Sequence, residues 1–231
     1  CMIVKNEEAV LARCLDSIRA GVDEIIIADT GSSDNTKEIA AHYTDKIYDF
    51  AWIDDFSAAR NFAFSKAMMD FVMWLDADDV FLPEDLAAFL ALKETLTEAV
   101  DAVALPYHTA FDETGNPVFS FYRTRLVRRH ADHFWQGRVH EALVHGGRTI
   151  YATPAVTHRS IKTGYSDRNL RIYEKQRADG EPFCPRDLFY YGRELYYHRK
   201  YGRAKEELEA FLSEGKGWSE NNIEACKILS Y

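Results

Sequence analysis

The sequence predicts an α/β protein with a helical C-terminal segment, and three observations carry that prediction. Over about the first hundred residues, short apolar runs alternate with stretches of helical periodicity, which argues for a parallel-type sheet flanked by helices. Acidic residues stand directly behind two of those runs, at the strand ends where such sheets bind ligands. From Asp167 onward the strand signals stop and the pattern is helical.

The elements follow in order. CMIV (residues 1–4) reads as a strand, and EEAVLARCLDSIRA (7–20) as a helix with Val10, Leu11, Cys14, Leu15 and Ile18 on one face. EIIIAD (24–29) is a continuous apolar run that suits a strand buried on both sides. TGSSDNT supplies turn and capping residues ahead of a helix at KEIAAHY. KIYDF is a third strand, SAARNFAFSKAMM (57–69) a helix, and FVMWLDAD (71–78) a strand ending in acids. PEDLAAFLALKETL begins with Pro in a helical first turn, and DAVALPY is again a strand. ETGNP (113–117) is a turn between HTAF and VFSFYRTRLVRR, so a β-hairpin is expected there. In YYGRELYYHRKYGRAKEELEAFLSEG two helices are expected to meet at Tyr201 and Gly202, with Ala204, Leu208 and Phe211 along one side of the second. SENNIEACKILSY starts a further helix, so the tail looks like a tetratricopeptide-type hairpin or an ordinary helical appendage.

Composition narrows the function classes. With 231 residues, 47% hydrophobic and 28% charged, the chain can bury one sizeable core and a small second unit. A net charge of -9 argues against a broad phosphate-backbone contact, so no nucleic-acid partner is expected. Cys1, Cys14, Cys184 and Cys226 are scattered without a paired motif, as free thiols in a reducing compartment would be. No integral membrane segment is evident, since no apolar run is long enough to cross a bilayer, and a cytoplasmic location is expected. The chain starts without Met inside an apolar stretch and stops inside a helical pattern, as a fragment would.

WLDADDVF (74–81) carries the chemistry. Residues i and i+2 of a strand share a face, so Asp76 and Asp78 are expected to converge. Converging carboxylates repel unless a cation is present, and oxygen ligands of this kind favour Mg²⁺ or Mn²⁺ completed by phosphate oxygens. The competing reading makes Asp78 or Asp79 the N-cap of the PEDL helix, which accounts for one acid but not three.

CMIVKNEE, IIIADTGSSDNT, FSAARNFAFSKA and WLDADD, in that order and spacing, resemble the family 2 glycosyltransferases of the GT-A fold over about the first 160 residues. The VHE segment and the helical tail resemble the bacterial subset with tetratricopeptide repeats. The resemblance implies a GT-A nucleotide-diphospho-sugar transferase domain over residues 1–165, a Rossmann-like mixed sheet. A truncated helical segment follows over 166–231. It further implies a UDP-sugar donor, with Glu7, Asp29, Arg60, Asn61 and Asp76 lining the nucleotide-sugar site beside Lys5 and Asn6. Asp78 and His158 would hold the metal, Mn²⁺ or Mg²⁺, and Glu141, next to His140, would deprotonate the acceptor. That acceptor would be a glycan, peptide or protein, with the helical tail available to a protein partner. The structural alternatives stay open: a helix or turn cap for Asp29, a first-turn acid favoured by the helix dipole for Glu7, a salt bridge to Asp54 or Asp55 for Arg60, and one from Arg138 for Glu141. Trp135 and the tyrosines of YYGRELYY read as sugar-stacking residues or as core. A nucleotidyltransferase would also use a metal-bound acid pair, but VKNEEAV lacks the Gly-rich basic loop. A silent protein-binding scaffold would have no reason to keep repelling carboxylates together.

Overall fold

The structure, a computed structural model, describes residues 1–161, 164 and 166–231. The chain divides into two compact units, the first made of Cys1–Ile53, Ser57–Gln136 and Ala142–Lys162, the second of Asp54–Phe56, Gly137–Glu141 and Thr163–Tyr231.

The first unit holds all the strands. β1 (Met2–Val4), β2 (Ile27–Asp29) and β3 (Ile47–Asp49) form a parallel sheet in that order, with Val4 opposite Asp29 and Asp29 opposite Asp49. β2 lies in the middle and is buried along its whole length, as its unbroken apolar run requires. α1 (Leu11–Ile18) packs Leu11, Cys14, Leu15 and Ile18 inward, and each aliphatic side chain so buried contributes about 1.5–3 kcal/mol. α2 (Thr36–Ala41) leads into β3, and α3 (Phe56–Phe64) follows it. The α3 helix stops five residues short of the Met69 expected from periodicity. Its last turn tightens through Lys66 N–H to Ala63 O and Ala67 N–H to Phe64 O, and the Met68 N–H is taken by the Glu24 carboxylate at 2.9 Å.

The second sheet is mixed, in the order β4 (Phe71–Met73), β7 (Pro117–Arg128), β6 (Ala102–Phe111), β11 (Val156–His158), β5 (Asp79–Val80), with β10 (Thr149–Tyr151) also on β6. β6 and β7 are the expected hairpin, and their turn is tied by the Asp112 carboxylate, which accepts from the Thr114 and Asn116 amides, with Gly115 at φ 86°. β5 is followed by α4 (Pro83–Lys93), with Pro83 in the first turn as expected. β8 (His133–Gln136) and β9 (Ala142–His145) pair antiparallel on their own. Apolar clusters of this unit lie under α1 and α4 and around Trp74, Phe64 and Trp135.

The second unit is helical: α5 (Arg168–Ala178), α6 (Pro185–Tyr197), α7 (Tyr201–Glu214) and α8 (Ser219–Leu229). Its core is Leu188, Phe189, Leu208, Phe211 and Ala225, so the expected apolar side of α7 is the buried one. Gly192 lets α6 approach α7: a Cβ there would lie 2.7 Å from Leu208 Cγ. The turn between α6 and α7 falls at residues 198–200 and not at Tyr201 and Gly202. Arg199 takes the left-handed conformation, φ 60°, and the Lys200 N–H closes on Leu195 O at 2.8 Å, a helix C-terminal closure built without glycine. No helix among the described residues is long and apolar enough to cross a membrane.

Candidate active site

The acidic run does not continue β4 as a strand. The chain leaves the strand after Met73 and turns back, with the Asp79 N–H on Asp76 O at 3.0 Å. The strict i, i+2 alternation therefore does not hold at Asp76 and Asp78, and three acids that are consecutive or nearly so take three separate environments.

Asp79 is fully buried and faces His158 across the β5–β11 ladder. One carboxylate oxygen pairs with Arg125 Nη1 at 3.0 Å, and both side chains are wholly shielded from solvent. The other accepts the Tyr107 hydroxyl at 2.9 Å and lies 3.3 Å from His158 Nδ1. Burial, followed by the negative charge of Asp79, pushes the Tyr107 phenol well above its ordinary range, so it stays a protonated donor. Asp79 is thus the acid that orients its neighbours.

Asp78 keeps part of its surface exposed, and its Oδ1 lies 3.7 Å from His158 Nδ1. The hydrogen bond to Asp79 outweighs burial and raises the proton affinity of His158. Ligand atoms of Asp78, Asp79 and His158 all fall within 4.8 Å of one another. Two carboxylates and an imidazole form a donor set suited to Mn²⁺ and, less closely, Mg²⁺. Asp78, Asp79 and His158 are thus the group that could hold a metal, with Asp79 also engaged by Arg125 and Tyr107 and His158 Nδ1 3.0 Å from the Tyr107 hydroxyl.

Asp76 turns the other way. Its Oδ1 takes Arg60 Nη2 at 2.7 Å, and the Arg60 guanidinium lies 4.7 Å from the ring centres of both Trp74 and Trp135. Burial works against ionisation of Asp76, but Arg60, Arg125 and Arg123 outweigh it and hold the carboxyl below the usual carboxylate range. Arg60 is therefore paired with Asp76, and Asn61 clamps the Trp135 backbone, donating to its O at 2.9 Å and accepting from its N–H at 2.8 Å. Trp135 itself is core, 2% exposed.

The loops behind β1 and β2 are laced together. Asn6, at φ 54°, accepts the Ser33 N–H, the Glu7 N–H binds the Thr36 hydroxyl, and the Glu8 carboxylate accepts the Asn35 N–H. The Asp29 Oδ1 accepts the Gly31 and Ser32 amides, both at 2.9 Å, which is the expected turn cap. Its Oδ2 is buried and has no hydrogen-bond partner. A carboxylate oxygen left so is costly unless a ligand donor meets it.

A family model described as glycosyl transferase family 2 matches residues 1–197. The chain belongs to glycosyltransferase family 2. Among curated relatives, a TPR repeat-containing protein of Synechococcus elongatus is 39% identical over 142 residues, 61% of this chain and 34% of the relative. The SPbeta prophage-derived glycosyltransferase SunS of Bacillus subtilis is 27% identical over 242 residues, 99% of this chain and 56% of the relative. The chain thus spans between 34% and 56% of the length of these relatives. Solved structures give the fold. Glucosyl-3-phosphoglycerate synthase of Mycobacterium tuberculosis, in complex with Mg²⁺ and UDP, superposes with a TM-score of 0.50 at 16% identity, over 80% of this chain and 79% of that one. S. aureus TarS 1-349, in complex with UDP-GlcNAc, gives 0.50 at 14% identity, over 99% and 78%. The first unit is a GT-A fold.

In this family 2 chain the segment with Glu141 falls in the second unit, although it links β8 to β9. Arg138 does not turn to Glu141; its guanidinium grips both oxygens of Glu181. His140, at φ 50°, stacks on Tyr190 at 4.2 Å and places Nε2 2.9 Å from the fully buried Glu194. Arg186 donates to His140 O at 2.8 Å, and the Tyr173 hydroxyl to Val139 O at 3.4 Å. Sequence reading missed Tyr107, Arg123, Arg125 and Glu194. The first three lie in strands whose cross-strand register is not encoded locally. A carboxylate in an otherwise aromatic stretch of α6 was the available signal for Glu194.

Proposed function

We propose that this family 2 chain carries the catalytic domain of a metal-dependent, inverting transferase. It would move a hexose from a UDP-sugar to an acceptor hydroxyl or thiol on a glycan, peptide or protein. The observation that carries the reading is the pairing of Asp78 with His158, on the carboxyl-end turn that also holds Asp76 against Arg60. Solved structures of similar fold hold UDP with Mg²⁺, or UDP-GlcNAc, which supports the same donor class here.

In this reading Asp29 offers its orphaned Oδ2 to a donor group of the nucleotide, and Glu7, whose N–H is bound by Thr36, lines the same site. Asp76 stays ionised because Arg60 neutralises it, and Arg60 and Asn61 act by fixing Asp76 and the Trp135 backbone. Asp78 and His158 would hold Mn²⁺ or Mg²⁺, which when bound neutralises charge on the leaving diphosphate. Glu141 takes the acceptor proton, its loop held from Arg138 to His140 by Glu181, Arg186 and Glu194. The transferase domain is assigned to residues 1–165 and the helical segment to 166–231, which remains available to a protein partner or to the acceptor.

The test is calorimetric titration of UDP with and without Mn²⁺, repeated on Asp78→Ala, followed by a screen of UDP-sugars for nucleoside diphosphate release. Metal-dependent binding that Asp78→Ala abolishes is the expected result. Wild-type protein that binds no UDP under either condition would move the reading to a silent scaffold. Pyrophosphate release would mark a nucleotidyltransferase.

A further inference from the structure

Three guanidinium groups crowd around Trp74, and only two of them have a carboxylate. Arg60 stacks 4.7 Å from the ring and pairs with Asp76, while Arg125 stacks at 4.1 Å and pairs with Asp79. Arg123 precedes Arg125 by two residues on β7 and so points to the same face, 4.6 Å from Trp74 and 5.9 Å from Tyr107. Among the described residues no carboxylate lies within ion-pair distance of it. The side chain is only partly exposed. Burial and then the neighbouring Arg125 make its protonated form harder to hold, and Asp76 compensates only in part. Of the three guanidinium groups over Trp74, Arg123 is thus the one whose charge is left without a carboxylate at contact distance.

We propose that Arg123 binds an oxyanion, a phosphoryl oxygen of the donor's diphosphate. This rests on reading the Asp76–Asp79 turn as the donor site. The location favours the diphosphate because Arg123 shares the Trp74 ring with Arg60, which holds Asp76, and Tyr107, at the edge of the same stack, bonds Asp79 and lies 3.0 Å from His158. A guanidinium lying over an indole face can still present N–H donors for planar, two-pronged recognition of a phosphate.

The test measures binding of uridine, UMP and UDP, each with Mn²⁺, to wild type, Arg123→Met and Arg123→Lys. Arg123→Met keeps the aliphatic contact with Trp74, and its thermal unfolding is recorded to confirm the fold. The expected result is unchanged uridine affinity in Arg123→Met, UDP affinity weakened about ten- to a hundredfold, and a smaller loss in Arg123→Lys. Equal weakening of uridine and UDP would reduce Arg123 to a structural role. Unchanged UDP affinity with a raised KM for an anionic acceptor would assign the oxyanion to the acceptor and overturn the proposal. Wild type that binds none of the three ligands would sink the donor-site reading itself, and the proposal with it.

Discussion

Two neighbouring acids, Asp78 and Asp79, are alike in sequence and opposite in environment. Asp79 balances a wholly buried arginine, so removing it leaves Arg125 as an uncompensated charge in the core. Asp79→Ala is expected to lose about 3–5 kcal/mol of stability, read as a lowered urea midpoint. Asp78→Ala removes a partly exposed carboxylate that lies 3.7 Å from the His158 imidazole. It is expected to unfold at nearly the wild-type midpoint while losing Mn²⁺-dependent UDP binding. Comparable losses of stability in the two variants would contradict the division of labour drawn between them.

Helices α5 to α7 supply two contrasting carboxylate contacts. Glu174 on α5 meets Arg203 on α7 through two bonds, 2.9 and 3.1 Å. Arg203 first, against some burial, and then Lys200 hold the Glu174 carboxyl below its ordinary value. A depressed folded pKa makes the contribution fully present above the unfolded value, near about 4.3, and lost as pH falls through the folded one. The stability difference between wild type and Glu174→Gln should therefore be constant from neutral pH to about 5 and shrink below about 4. A difference that grows on acidification would show the pair to be misassigned. On α6, Glu194→Gln keeps the shape but weakens the hold on His140. Amides of residues 138–141 are then expected to exchange hydrogen about tenfold faster, with a modest loss of stability of about 1–3 kcal/mol. Unchanged exchange there would mean that the loop is held without Glu194.

At the scale of the whole chain, ligand binding should be visible as stability. If metal and UDP bind the folded first unit, UDP at about 100 times its Kd in the presence of Mn²⁺ adds about 2.7 kcal/mol. For a chain of this length that is a rise of about 5–10 °C in Tm, which EDTA should reverse and Asp78→Ala should lack. A rise that survives EDTA would detach the nucleotide from the metal site.

Much of this molecule was legible from local pattern. The last three residues of the apolar run EIIIAD became the doubly buried β2, the spacing of Leu11, Leu15 and Ile18 became the inner face of α1, and ETGNP became the β6–β7 turn. Four ordered motifs were enough to point to the family whose model matches residues 1–197. Periodicity and turn chemistry are properties of neighbouring residues, so the chain itself determines them. What it could not determine is which distant residues meet. His158 faces Asp79 because β11 pairs antiparallel with β5, Arg60 closes on Asp76, and Arg125 and Trp74 stack because β7 lies beside β4. The break after Met73 likewise overrode the strand alternation expected at Asp76 and Asp78, and beyond it Asp79 pairs with the buried Arg125. Such pairings depend on register and packing across dozens of residues, where local propensity carries no information and tertiary structure alone decides.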